Sequence, residues 1–399
     1  MVEASSLLPL DGVAGALVGR VWLPQSGANP GGPCVVTVRA GGVFDLTSHW
    51  PTVSDLLEET DPAACVARAT GVRIGTLEAV IQATMRQDGE APHFLAPCDL
   101  QVIKAAGVTF ASSMMERVIE EQAKGNPALA AEFRARILEI LDGPLEHIVP
   151  GSRQAEELKQ LLVARGLWSQ YLEVGIGPDA EVFTKSPLLS AVGLGADVGI
   201  HPKSIWNNPE PEIVLAVDSR GRIKGATLGN DVNLRDMEGR SALLLGKAKD
   251  NNGSCSIGPF LRLFDSTYSL EDVRRCVVIM EVHGEDGFIM KGVSSMSLIS
   301  RDPLSLVTQT IGDHHQYPDG FMLFLGTMFA PVQDRGVAGS GFTHHLGDSV
   351  RIFTDKLGTL VNRVQHCDQI RPWTFGVRAL YQNLAARDLL RDTRKFDQT

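Results

Sequence analysis

From about residue 171 onward the chain is cut into short apolar runs. EIVLAVD, GRIKGATLG, CVVIMEV, GFMLFLGTMF and DSVRIFTDKLGTLVNRV follow one another, separated by turns rich in Gly, Asp and Asn. Apolar runs punctuated by such turns read as strands. A chain written this way must fold into a large, mostly β unit. Ahead of it, residues 1 to about 98 read as a smaller β-rich domain. GALVGRVWL and PCVVTVRAGGVFDL supply its strands, and SDLLEE and DPAACVARA supply short helices capped by Ser and Asp. Between the two, residues 112 to about 170 read as helical. In SSMMERVIEEQAK, Met115, Val118, Ile119 and Gln122 mark one face and Glu116 and Glu120 another. The expected fold class is therefore α+β, mostly β, with domains at 1–98 and 99–399 and a helical insertion over about 112–170.

Composition narrows the partners. The chain has 399 residues, 44% of them hydrophobic, and a formal net charge of −10 with no Lys/Arg-rich run, so nucleic acid and anionic membranes are poor partners. No stretch approaches the roughly 20 apolar residues that span a bilayer. The opening MVEASSLLPLDG lacks the basic start and apolar run of a secretory signal. The six cysteines show no CxxC spacing. These features lead us to expect a cytoplasmic protein with free thiols.

The chemistry-bearing signal is WNNPEPEIVLAVD. Glu210 and Glu212 are two apart, so on a strand they point to one face, where like charges repel unless a cation binds them. Pro211 cannot donate to a ladder, which puts this segment at a strand start or an edge. SRGRIKG then reads as a turn, and a returning strand would bring Asp231 of GNDVNLRD beside both glutamates. Three hard oxygen ligands with no His or Cys suit Mg²⁺, Mn²⁺ or Ca²⁺ rather than zinc. The same letters also fit a solvated acidic strand end, or surface ion pairs with Arg222 or Lys224.

Taken in order, FTKSPLLSAVGLG, EPEIVLAVD, GNDVNLRD, GKAKDNNGSCSIGPFL, VHGEDG, LFLGTMFAP and HLGDSVRIFTDKLGTLVNRV resemble the catalytic domain of the fumarylacetoacetate hydrolase superfamily over about residues 105–365. The resemblance implies a mixed β-roll holding one Mg²⁺, with Mn²⁺ as a substitute, on Glu210, Glu212 and Asp231. It implies that Lys247 of GKAKD lies beside the bound substrate, and that Thr327 and Gly326 hold the substrate carboxylate. Lys185, Arg235, Glu238 and His344 are the further substrate contacts it suggests. In the GVTFASSMMER block the family carries an aromatic residue followed six places later by a glutamate on a mobile lid helix; counting from Phe110 gives Glu116.

Departures shift the expected reaction. The family's histidine three places after the aromatic is Ser113 here, so the His–Glu pair that activates water is missing. WNNPEPEIVLAVDSRGRIKGATLGNDVNLRD and GFTHHLGDSVRI resemble the sugar-acid dehydratase branch. That branch implies a lyase that dehydrates a 2-keto-3-deoxy-pentonate, of xylonate or arabinonate type, to 2-oxoglutarate semialdehyde. Lys247 would then be the base at C3 and Glu116 the acid at C4, or the reverse, with Glu120 a rival. The alternative is C–C bond hydrolysis of an acylpyruvate or diketo acid. The family's habit implies a homodimer or homotetramer. The paired histidines His314–His315 and His344–His345 are adjacent, point to opposite faces on a strand, and do not chelate easily.

Overall fold

The computed structural model describes residues 3–390, apart from 28–29, 125, 127–128, 130–147, 165–167, 330 and 337–340. The part of the expected helical insertion that falls on 130–147 lies outside the described residues. Strands in chain order are β1 (Leu17–Leu23), β2 (Gly32–Arg39), β3 (Gly42–Asp45), β4 (Val72–Gly75), β5 (His93–Leu95), β6 (Val102–Gly107), β7 (Glu181–Ser186) and β8 (Asp197–Ile200). They continue with β9 (Asn207–Asn208), β10 (Pro211–Val217), β11 (Ile223–Asp231), β12 (Asn233–Leu234) and β13 (Cys255–Leu263). The last five are β14 (Val277–His283), β15 (Ile289–Ser295), β16 (Phe321–Phe324), β17 (Ser349–Thr354) and β18 (Gly358–His366). The fold is α+β and dominated by sheet, as the sequence led us to expect.

Most of these strands form one sheet in the order β4-β3-β2-β1-β13-β11-β10-β16-β6-β7, with β5 also on β1. A second sheet runs β15-β14-β17-β18-β8. The sheet crosses residue 98 without a break, because β1 pairs with β13 through Leu17↔Arg262 and Val18↔Leu261. Two patterns in the sequence explain the layering. β10, β13 and β16 are buried at every position, so they read as continuous apolar runs covered on both faces. β14 and β15 alternate between buried and open positions and have one wetter face. On β10, Ile213, Leu215 and Val217 join one apolar core while Val214 and Ala216 join another. The central hairpin is thus held from both sides.

Among the helices used below are α1 (Val53–Leu57), α2 (Pro62–Arg68), α3 (Leu77–Met85), α4 (Ala111–Gln122), α5 (Arg153–Ala164), α6 (Gln170–Ile176), α7 (Arg235–Glu238) and α8 (Leu245–Lys249). The cap of α2 is Asp61, as its sequence suggests. The cap of α1 is Thr52, with Asp55 completing a capping box, rather than the serine. In α4 the side chains of Met114, Val118 and Ile119 are buried, and Met114 and Val118 pack with Tyr171, Leu172 and Ile176 of α6. The charged residues Glu116, Arg117 and Glu120 of α4 are buried too. All six cysteines are free.

Candidate active site

The β10–β11 hairpin builds the site. Its register pairs Pro211 with Asn230 and Glu212 with Gly229, so Asp231 returns beside Glu210. The Asp231 amide donates to the Glu210 carbonyl at 3.0 Å, and the Glu210 amide donates to Asn230 Oδ1 at 3.1 Å. Carboxylate oxygens of Glu210, Glu212 and Asp231 lie within 4.8 Å of one another, all three side chains buried. At that spacing each like-charged pair costs roughly 3 kcal/mol at an effective dielectric near 20. The donor set is all hard oxygen, which fits a divalent cation such as Mg²⁺.

Cationic side chains surround these carboxylates. Lys249 Nζ reaches Glu210 Oε2 at 2.6 Å and Asp231 Oδ2 at 2.9 Å. Lys185 Nζ, wholly buried, reaches Asp231 Oδ1 at 2.7 Å. Arg117 of α4 pairs with Glu210 Oε1, with Glu120 at 2.6 Å and with Glu238 at 3.0 Å. Glu212 instead accepts the Gly326 amide at 2.7 Å. Gly326 has φ +101°, and a Cβ there would meet Thr109 Oγ1 at 1.9 Å, so only glycine turns its N–H inward at this point. Electrostatics follow the contacts. Burial, then Asp231 and Glu210, push the Glu212 carboxyl well above the usual range. Burial also acts on Asp231, but Lys185 and Lys249 outweigh it and hold its carboxyl low. Lys249 is held as an ammonium: burial opposes the charge, and Asp231 and Glu210 overcome it.

The structure moves one expected residue. Lys247 is exposed, and the lysine at the carboxylates is Lys249. Both sit on α8, where two residues apart means about 200° of rotation. A helix that turns Lys249 inward must turn Lys247 out. On α4, Glu116 is buried, and Glu120 one turn later is in ion-pair contact with Arg117 and with Arg235 at 3.1 Å. Arg235 Nε also donates to Asn208 Oδ1 at 2.9 Å, and its Nη1 to the Pro331 carbonyl at 3.2 Å. Asp236 accepts from Ser204 Oγ at 2.7 Å, and Glu238 pairs with Arg117. Thr327, next to Gly326, donates to the Phe329 carbonyl at 3.2 Å. His344 stands one layer out. Its Nδ1 is 3.1 Å from Asp348, which Arg335 also holds at 2.6 Å, and its amide donates to Asn207 Oδ1 at 3.3 Å. Burial keeps the His344 ring below its usual pKa. Ser113 Oγ donates to the Phe110 carbonyl at 2.9 Å.

Besides Lys249, two neighbours of the cluster escape sequence reasoning. Arg117 is one. The other is Glu181, at the start of β7. Residues 181, 183 and 185 share one face of that strand. Lys185 from this face reaches Asp231, and Phe183 lies under Lys249 with 5.8 Å from Nζ to the ring centroid. Glu181 Oε2 lies 2.0 Å from where a Cβ on Gly107 of the opposite strand would sit, so the carboxylate occupies the space that this glycine leaves open. Burial, then the charge of Glu238, raise the Glu181 carboxyl to about 7. The period-two spacing of EVFTK was the available signal.

Residues 207–365 match the family described as fumarylacetoacetate (FAA) hydrolase C-terminal. The chain is 29% identical over 188 residues, 46% of its length, to 2-dehydro-3-deoxy-D-arabinonate dehydratase of Saccharolobus solfataricus. It is 31% identical over 194 residues, 49% of its length, to a probable 2-keto-3-deoxyxylonate dehydratase of Haloferax volcanii. It spans 58% and 63% of those two relatives. Among solved structures, the apo form of 2-keto-3-deoxy-D-arabinonate dehydratase matches with a TM-score of 0.59 at 19% identity, covering 88% of this chain and 99% of that one. The same enzyme complexed with magnesium and 2,5-dioxopentanoate gives a TM-score of 0.58 over the same shares, also at 19% identity. These structures establish a shared fold.

Proposed function

Starting from the match of residues 207–365 to the fumarylacetoacetate hydrolase C-terminal family, we propose a divalent-cation-dependent lyase that removes water from a 2-keto-3-deoxy-pentonate and yields 2-oxoglutarate semialdehyde. The observation that carries the reading is the buried triad of Glu210, Glu212 and Asp231 with Lys249 bridging two of its members. The names of the two curated relatives and of the magnesium-bound structural neighbour support it.

Glu210, Glu212 and Asp231 would hold Mg²⁺, or Mn²⁺ in its place. A cation bound there supplies Lewis acidity toward the 2-keto oxygen. Lys249 would take the role expected of Lys247: with a cation on the three carboxylates, Glu210 and Asp231 would no longer hold its Nζ as an ammonium, and the neutral amine would accept the proton from C3 and return it. Loss of the C4 hydroxyl needs a proton, because hydroxide leaves poorly. Glu181 supplies that proton, since its carboxyl titrates at about 7 and is substantially protonated at neutral pH. Glu116 and Glu120 are the rivals for this step, and Glu120 is already committed to Arg117 and Arg235. Gly326 orients Glu212, and Thr327 beside it meets the substrate carboxylate. Arg235, Glu238 and Lys185 fix the surrounding charges, and His344 on its Asp348 support borders the polar tail of the substrate. With Ser113 bonded to its own turn and no histidine on α4, the water-activating pair needed for C–C hydrolysis is absent from this helix.

Purified protein incubated with Mg²⁺ and a panel of 2-keto-3-deoxy acids should yield a product lighter by one water with its carbon skeleton intact. Two shorter acids would establish the hydrolase instead, and no turnover on any member would remove the lyase reading. The proposal includes a cytoplasmic homodimer or homotetramer, which light scattering checks. No described helix is long and apolar enough to cross a membrane.

A further inference from the structure

Arg117 is buried among Glu210, Glu120 and Glu238, yet it belongs to α4, a helix outside the sheet that carries the triad. Its grip on Glu210 is specific to one oxygen: Arg117 takes Oε1, and Oε2 is left on the side of Asp231, where Lys249 joins the two. A carboxylate pinned at one oxygen presents the other in a fixed direction. The backbone that delivers α4 is strained. Val108, between β6 and α4, has φ +58°, a region that β-branched residues avoid. A strained joint followed by a helix tied down through buried ion pairs is the arrangement of a docked element held by its charges.

We propose that Arg117 is a positioning residue that couples the docking of α4 to cation binding. Docked, it aims Glu210 Oε2 at the other two ligands. A cation on those ligands in turn fixes Glu210 and so favours the docked helix, because coupling between two events is reciprocal. The inference rests on the reading of Glu210, Glu212 and Asp231 as a cation site, and its test separates the two.

Mn²⁺ affinity is measured by calorimetry or paramagnetic resonance, and hydrogen exchange is followed in residues 111–122 with and without Mn²⁺. Wild-type protein should bind Mn²⁺ and gain protection in 111–122 on binding. Arg117→Met should bind Mn²⁺ about 10–100-fold more weakly, the usual cost of losing a group that orients a ligand. Arg117→Lys, which keeps the charge, should recover part of that loss. Val108→Gly relieves the strain, so α4 should be more protected before Mn²⁺ is added. If Arg117→Met binds Mn²⁺ as tightly as wild type, or wild type binds it with no change in 111–122, the coupling is overturned while the cation site stands. The second outcome needs no variant to fold. If wild type binds no Mn²⁺, the cation reading fails and the coupling with it.

Discussion

The β10–β11 hairpin carries buried carboxylates at both ends, and the two ends treat them oppositely. At the turn, Asp218 is wholly buried and fully served. It accepts from the amides of Arg220 at 3.0 Å and Arg222 at 2.8 Å, and it pairs with the side chains of Arg222 at 2.7 Å and Lys224 at 3.3 Å. One acid meets four donors, and the turn is locked. At the open end three acids crowd within 4.8 Å of one another and share the cations of Lys185, Lys249 and Arg117, the last two borne on separate helices. The first arrangement makes the acid a part of the scaffold. The second keeps like charges together at an energetic cost that folding does not require, which is the mark of a site.

Four substitutions sharpen that contrast. The largest effect belongs to Glu212→Gln, which keeps an oxygen for Gly326. We expect a loss of about a thousand-fold or more in kcat, from the several kcal/mol that Lewis-acid assistance supplies, with circular dichroism unchanged. Full activity would return this end of the hairpin to the status of Asp218. Next comes Lys249→Met, with a loss of about 10²–10⁴-fold in kcat and in deuterium exchange at C3. Lys247→Met should stay within about two-fold of wild type, as surface substitutions do. Reversal of that order would restore the sequence-based choice of lysine. At the turn, Asp218→Asn should lower stability by about 3–5 kcal/mol in denaturant melts, since it breaks a buried ion pair, and leave Mn²⁺ affinity unaltered.

The smallest effect concerns Asp348. Burial raises its carboxyl, but His344 and Arg335 overcome this and hold it at about 2, below the usual 3.8. A depressed carboxyl stabilises the fold above its unfolded pKa, and that stability is lost as pH falls through the folded value. Wild type should therefore lose up to about 2 kcal/mol between pH 4 and pH 2 through this group, and Asp348→Asn should flatten that part of the acid-unfolding curve. An unchanged curve would detach Asp348 from the acid limb.

What could be read in the sequence divides along the same line. The hairpin was legible because everything that makes it is local: a period of two, a turn of Ser, Arg and Gly, and a return strand of matching length. Lys249 was not, because α8 has only five residues and offers no periodicity to tell an inward lysine from an outward one. Glu181 enters through β7, which joins β6 at the far edge of the sheet, a pairing no local pattern announces, whereas Lys185 on the same strand was reached through the family resemblance. Glu116 and Glu120 read equally well as a wetted helix face. Burial of that face depends on α4 lying over the carboxylates, and Arg117, hidden between the two glutamates, is what tells the two situations apart.

The seam between β1 and β13 carries a lesson for anyone wishing to trim this molecule. A fragment beginning after residue 98 would strip the partner from Leu261 and Arg262 and leave β13 with a bare, flat, apolar flank. Such a flank invites other chains to add on, and the product would be a precipitate rather than a minimal domain. The opening strands act as a selvedge, woven into the cloth they finish.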